Sequence, residues 1–221
     1  MAFMFSGCRN LKYIEVSGFE TNKVEDMREM FQFLRNVQVI DVSNFYTSKV
    51  IDISNMFQKC YKLQSLDLKK FNTKNVTSLY YTFAECNQIS SLDITNFNTS
   101  KVTEICNTFS GMSKLTSLDL TNFSTSNVVD MSSKFRGDSV LVIKGIEKFD
   151  TSKVTDMSSM FLDCSAMKSI DVSKFDASSV ETTEYMFEYC SSLTSIDLSN
   201  FKTSFCKNMA YMFSSCSSLK E

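Results

Sequence analysis

Phenylalanine recurs every 26 residues along this chain, and that spacing strongly limits the folds available to it. One column runs without insertion or deletion through Phe5, Phe31, Phe57, Phe83, Phe109, Phe135, Phe161, Phe187 and Phe213. A second column keeps the same step through Phe19, Phe45, Phe71, Phe97, Phe123, Phe149, Phe175 and Phe201. Two columns in strict register indicate a tandem repeat whose units stack, because so short a unit cannot bury its apolar face alone.

Each unit contains two segments with different apolar periods. In residues 63–68, leucines alternate with polar residues, which is typical of a half-buried strand. In residues 154–161, apolar residues are three and four apart, as on a short helix or 3₁₀ turn. We therefore predict an α/β leucine-rich-repeat-like solenoid of about eight coils, with one short parallel β-strand and one short helical or 3₁₀ segment per coil. The predicted core comprises both Phe columns and the row Ile14, Ile40, Leu66, Leu92, Leu118, Ile170 and Ile196.

Two phrases resemble a known repeat family. The stretches LDLTNFSTS at 118–126 and FDTSKVTDMSSMF at 149–161 are similar to the 26-residue BspA-type leucine-rich repeats of bacterial surface proteins. The resemblance extends over essentially the whole chain. It implies display at the cell surface or outside the cell, and binding to proteins of a host or a neighbouring cell. It implies no catalytic residues.

The repeat predicts a single domain spanning residues 1–221. The sequence starts and stops within a unit, without an atypical capping repeat, so we expect either a fragment of a longer array or end-to-end stacking. Residues 134–148 break the pattern, with Asp138 in a cysteine slot, Lys144 in a core slot and Gly145 in an acidic column. We expect a bulge or displaced strand there. This unit also spells Arg136, Gly137 and Asp138, an integrin-type tripeptide that is a candidate contact or simply a deformed turn.

An acidic column is the main candidate binding site. It should lie on the outer face of the sheet beside Ser65, Ser91 and Ser117, and it comprises Glu15, Asp41, Asp67, Asp93, Asp119, Asp171 and Asp197. Three readings remain open: a solvated sheet face, a recognition strip for a basic partner, and a calcium site, although a straight row converges poorly on a cation. We expect repulsion between stacked carboxylates to raise their pKa values.

Composition excludes several functional classes. The chain has no histidine, which removes the commonest general base and metal ligand, and the net charge of −2 gives no nucleic-acid footprint. Six of the eight cysteines share one repeat slot, where buried free thiols are the best reading. We predict no enzyme activity, no cofactor and no metal site. The predicted function is a protein-binding module of a cell-surface or secreted adhesin, and the alternative is a structural component that self-associates end to end.

Overall fold

The computed structural model of the protein describes residues 1–138 and 142–220. These ranges form a repeat fold with little regular secondary structure. Strand β1 spans Ser117–Asp119, strand β2 spans Val142–Lys144, and a 3₁₀ helix spans Ile146–Lys148. The two strands pair in parallel. Most of the other described residues form turns and extended segments.

Successive units are joined by a ladder of parallel backbone bridges. The bridges connect residues 26 apart in the order Asp26, Asp52, Ser78, Glu104, Asp130, Asp156, Thr182 and Asn208. This ladder lies just before the Met-x-x-Met-Phe part of each unit, and not in the Leu-Asp-Leu part where the sequence predicted the strands. In the predicted strand region, the described residues contain only the β1–β2 pair and one isolated bridge between Val39 and Ser65.

The predicted helical segment is wrong, and backbone conformation explains why. In residues 154–161 the chain forms turns, because Ser159 has a φ of 56° and interrupts any right-handed helix. The N–H groups of Met157, Ser159 and Phe161 donate to carbonyls of the following unit instead of to the preceding turn. A left-handed residue recurs at the position of Ser159 in every unit, from Phe3 to Tyr211. Each turn segment therefore bonds to its neighbour as a strand would.

The first Phe column forms one continuous ring stack through the core. Neighbouring ring centroids are 5.2 to 6.0 Å apart and the rings are within 16° of parallel. This is the range in which offset aromatic pairs attract one another. The second column packs against the first at a tilt, as where Phe45 meets Phe31 at 6.2 Å. Both columns therefore lie in the core, as predicted from their spacing.

The predicted aliphatic row lies at the margin of the core. Ile40, Leu92 and Leu118 are buried, whereas the other four members are half-buried. A deeper row lies two residues later, at 2% exposure or less, and comprises Val16, Val42, Leu68, Ile94, Leu120 and Val172. In the irregular unit the core position belongs to Ile143, so the placement of Lys144 in a core slot is corrected.

Buried threonine hydroxyls form a second link between units. Each hydroxyl donates to a backbone carbonyl of the next unit, and the members are Thr21, Thr47, Thr73, Thr99, Thr125 and Thr151. Thr99 Oγ1 donates to the Ser124 carbonyl at 3.0 Å and accepts the Ser124 N–H at 2.8 Å. One hydroxyl therefore satisfies two backbone groups of the following unit.

Replacing Thr99 by valine is expected to lower the free energy of unfolding by about 2 kcal/mol, because both backbone groups of Ser124 lose their partner while the shape is kept. Urea unfolding monitored by circular dichroism measures the change. Thr103→Val is the matched control, since Thr103 is exposed and its hydroxyl makes one contact of 3.4 Å. Equal stability of the two variants would show that the buried ladder contributes nothing.

Candidate functional site

The acidic column lies on the exposed face, and each carboxylate also closes a turn. Asp41 Oδ1 accepts the N–H of Ser43 at 3.0 Å, and Asp93 Oδ1 accepts both the N–H and the hydroxyl of Thr95, at 3.2 and 2.7 Å. Five other carboxylates likewise accept the backbone N–H of the residue two positions later, namely those of Glu15, Asp67, Asp119, Asp171 and Asp197. These are turns of the kind that aspartate stabilises with its own side chain. The column therefore has a structural role in every regular unit.

The expected upward pKa shifts are not found. Hydrogen bonds from Ser43, Thr95 and the equivalent residues lower the pKa values of Asp41, Asp93, Asp119, Asp171, Asp197 and Glu15. Neighbouring carboxylates raise the pKa values of Asp93 and Asp171 only as lesser contributions. A hydrogen bond to the charged form outweighs repulsion across water between units. These six carboxylates are therefore ionised well into the acidic range.

The predicted serines lie on the same face. Ser65, Ser91 and Ser117 are all exposed, and Ser117 is the first residue of β1. Together with the carboxylates of the same units they form a polar surface, which we call the sheet-face strip: Asp41, Ser65, Asp67, Ser91, Asp93, Ser117, Asp119, Asp171 and Asp197. The strip follows the repeat, so its polar groups recur at fixed intervals.

The irregular unit shifts the register by one residue. Asp119 pairs with Lys144, which is 25 residues later instead of 26. Lys144 Nζ lies 2.9 Å from Asp119 Oδ2, and this contact raises the pKa of Lys144. Gly145 then takes a φ of 89°, and a Cβ there would lie 2.5 Å from Thr121 Cα. Glycine is required at 145 because the shifted chain turns tightly against its neighbour. Asp119 is thus neutralised within the chain and divides the strip in two.

The tripeptide at residues 136–138 is not presented to a partner. Arg136 is exposed, but the side chain of Asp138 is completely buried in the slot that six units fill with cysteine. A partner cannot reach a carboxylate enclosed by the neighbouring units. The integrin-type reading is therefore corrected: the burial that the cysteine slot imposes outweighs the local sequence.

Asp138 is an unpartnered acid in an apolar slot. Among residues 1–138 and 142–220, neither of its carboxyl oxygens has a hydrogen-bond partner, and burial raises its pKa well above the ordinary value. In neighbouring units the cysteine thiol donates to a phenylalanine carbonyl, as Cys60 does to Phe31 at 3.1 Å and Cys164 does to Phe135 at 3.1 Å. An ionised carboxylate has no proton to donate, so the neutral acid is the form that suits this slot.

Lys134 is a second buried ionisable group, and the sequence reading missed it. Its side chain is fully buried, its Nζ has no hydrogen-bond partner in the part of the chain that the structure describes, and burial lowers its pKa to about 7. Its Nζ lies 4.6 to 5.9 Å from four phenylalanine ring centroids, namely those of Phe109, Phe123, Phe135 and Phe149. The signal was available in the repeat, because the same row holds Met30, Met56, Met160, Met186 and Met212.

The repeat that organises these residues is shared with a known family. The family described as "Mycoplasma protein of unknown function, DUF285" matches residues 1–118 and again residues 103–221. The chain belongs to this DUF285 family. No curated protein and no solved structure matches the chain. The two matches overlap at residues 103–118 and together span the DUF285 chain, as expected of tandem copies of one unit.

Within residues 1–138 and 142–220, no three cysteine or carboxylate side chains are grouped as ligands of a metal ion would be. In the same ranges, no helix is long and apolar enough to cross a membrane. All eight cysteines of this DUF285 protein are free thiols, and burial raises the pKa of Cys60 to about 12. Buried thiols such as that of Cys60 are poor nucleophiles.

Proposed function

We propose that the chain is a non-enzymatic protein-binding module of a cell-surface or secreted adhesin, built as a BspA-type solenoid of about eight coils. The observation that carries this proposal is the sheet-face strip. Its carboxylates recur in every regular unit on one exposed face, and hydroxyls accompany them in three units. A rigid repeat can present many weak contacts in register to a partner.

The chemistry of the strip favours a basic partner. In Asp41, Asp67 and Asp93 the turn contact uses Oδ1, and among the described residues Oδ2 has no hydrogen bond. One oxygen is therefore fixed by the backbone and the other is free to accept a bond from lysine or arginine. Fixing the carboxylate beforehand reduces the entropy lost on binding. The depressed pKa values of Asp41 and Asp93 keep these acceptors charged at mildly acidic pH.

The strip has two unequal parts. Asp119 is engaged by Lys144, so the free carboxylates are Asp41, Asp67 and Asp93 on one side and Asp171 and Asp197 on the other. The first part has three consecutive units with the same register. We therefore place the main contact surface on the units containing Asp41 to Asp93. The irregular unit separates this surface from the second part of the strip.

The test is binding of the purified protein to a panel of extracellular-matrix proteins by biolayer interferometry. Changing Asp41, Asp67 and Asp93 together to asparagine keeps the Oδ1 acceptor of each turn and removes three charges. Affinity is expected to fall about tenfold, because each exposed pair contributes a few tenths of a kcal/mol. The control changes Asp163 to asparagine and Glu184 and Glu188 to glutamine, which removes the same charge outside the strip.

Self-association is the second candidate function. Large apolar side chains are exposed near both ends of the repeat, with Phe3 52% and Met4 47% exposed in the first unit and Phe205 65%, Met209 47% and Tyr211 59% exposed in the last units. A stacked second copy would cover them. If no matrix protein binds and the mass measured by light scattering rises with concentration, the adhesin proposal fails and the structural role replaces it.

A further inference from the structure

We propose that a basic corner on the first three units binds an extended acidic peptide segment of a partner protein. The basic corner consists of the cationic side chains Arg9, Lys12, Arg35, Lys59 and Lys62. It is separate from the sheet-face strip and has the opposite charge, so this proposal does not depend on the function proposed above. It is also local, because the whole chain has a net charge of −2.

Three of these cations surround one aromatic ring. The charged groups of Arg9, Arg35 and Lys59 lie 5.5, 5.8 and 5.4 Å from the ring centroid of Phe33. The guanidinium of Arg35 also lies 5.6 Å from the ring of Tyr61. Attraction to aromatic faces orients the cations, but a ring does not neutralise them. The corner therefore holds like charges together.

Counter-charge within the chain is nearly absent at this corner. Lys59 lies 3.5 Å from a carboxylate oxygen of Glu85. Within residues 1–138 and 142–220, no ion pair involves Arg9, Lys12, Arg35 or Lys62. Among the described residues, the Nε of Arg35 has no hydrogen-bond partner, but it is shielded from solvent, so an incoming carboxylate would have to meet the terminal nitrogens of the guanidinium. Guanidinium groups are suited to bidentate contacts with carboxylates. An incoming carboxylate would therefore supply what the chain lacks.

A groove continues from the corner along the exposed face. It has a volume of about 680 Å³ and is lined by Lys12 and Lys62, by the amides of Asn36 and Gln38, and by Tyr13 and Val39. Tyr13 is 87% exposed and Val39 is 60% exposed. Glu15 and Asp41 also line the groove. The groove thus combines cationic, amide, apolar and anionic groups.

This combination of groups in one groove favours a peptide over other polyanions. A peptide offers carboxylates to the corner, backbone amides to Asn36 and Gln38, and apolar side chains to Tyr13 and Val39. A sulfated polysaccharide has no apolar side chains for the exposed tyrosine and valine, and its charges would meet Glu15 and Asp41 further along. A lipid surface is flat, whereas the groove is concave. The acidic end of the peptide is expected to lie at Arg9 and Arg35.

The experiment uses fluorescence anisotropy of the 221-residue protein with a labelled peptide of glutamate and leucine. The same peptide with lysine in place of glutamate is the charge control. We expect binding of the acidic peptide alone, weakening as salt is added. Arg9→Gln with Arg35→Gln should weaken binding about tenfold, because two desolvated charge contacts are lost and the side-chain length is nearly kept. Arg9→Lys with Arg35→Lys should retain most of the affinity.

Control variants make the result decisive. Lys101→Gln with Lys153→Gln removes the same charge from exposed lysines that contact only asparagine side chains, at 2.9 and 3.3 Å, and should bind as the unchanged protein does. Circular dichroism establishes that the arginine variants are folded. Equal binding by the Arg9 and Arg35 double glutamine variant overturns the proposal. So does binding of heparin or of phosphatidylserine vesicles in the absence of any binding to the acidic peptide. If changing Asp41, Asp67 and Asp93 abolishes binding to matrix proteins, the peptide result is unaffected, because the basic corner is a separate surface.

Discussion

Replacing Lys134 by methionine is expected to raise the free energy of unfolding by about 3 kcal/mol at pH 7, and the melting temperature by roughly 10 °C. Burial lowers the pKa of Lys134 from 10.5 to about 7. At about 1.4 kcal/mol per pKa unit, keeping this amine buried costs about 4 kcal/mol at neutral pH. Methionine occupies the same row in six other units and fills the space without a charge. Thermal and urea unfolding measure the gain.

The pH dependence of that gain has a definite sign. The folded pKa of Lys134 is below its unfolded value, so the cost is fully present below pH 7 and declines as pH rises toward 10.5. The advantage of Lys134→Met should therefore be largest at pH 6 to 7 and shrink by about 1.4 kcal/mol for each pH unit above that. Lys101→Met, at an exposed site, should change stability by less than about 0.5 kcal/mol. A gain that is independent of pH would refute the role of the buried amine.

Replacing Asp138 by cysteine is expected to stabilise the protein by about 2 kcal/mol at pH 7. The carboxyl group is fully buried, and neither of its oxygens has a hydrogen-bond partner among the described residues. Cysteine fills this slot in six units, and the thiols of Cys60 and Cys164 donate to carbonyls 29 residues earlier. The substitution removes a buried acid and supplies a donor that fits. Urea unfolding at constant temperature gives the difference.

For Asp138 the pH effect is opposite in direction. Burial raises its folded pKa above the unfolded value of 3.8, so the cost is absent below that pH and grows as pH increases toward the folded pKa. The advantage of Asp138→Cys should thus be smallest near pH 4 and larger at pH 7. Met112→Cys is the control, because it places a cysteine in the same slot one unit earlier without removing a charge. A comparable gain there would attribute the effect to cysteine itself.

Spacing alone predicted the parts of the fold that depend on regular burial. The two Phe columns were placed in the core because each position recurs every 26 residues, and the structure places them there. The acidic column was placed on the exposed face because it alternates with apolar residues, and Asp41, Asp67 and Asp93 are exposed there. The burial of Lys134 could have been predicted in the same way, because most units have methionine at its position.

Other features depend on backbone conformation, which a periodic pattern does not specify. The spacing in residues 154–161 suits a helix, but the left-handed backbone at Ser159 turns that segment into one that bonds to its neighbours. The downward pKa shifts, such as that of Asp93, depended on hydrogen bonds from the residue two positions later, here Thr95. The basic corner also required the structure, because Arg9, Arg35 and Lys59 meet only where stacking brings them around Phe33.

The sequence by itself determined the repeat, its length and the inward position of both Phe columns, because burial of apolar surface follows periodicity directly. The tertiary structure decided the one-residue shift that sets Lys144 against Asp119. That shift depends on how the irregular unit packs on the fixed units beside it. Whether a residue pairs with one 25 or 26 positions away depends on a balance of packing, turn geometry and charge between the units. No local sequence pattern fixes that balance.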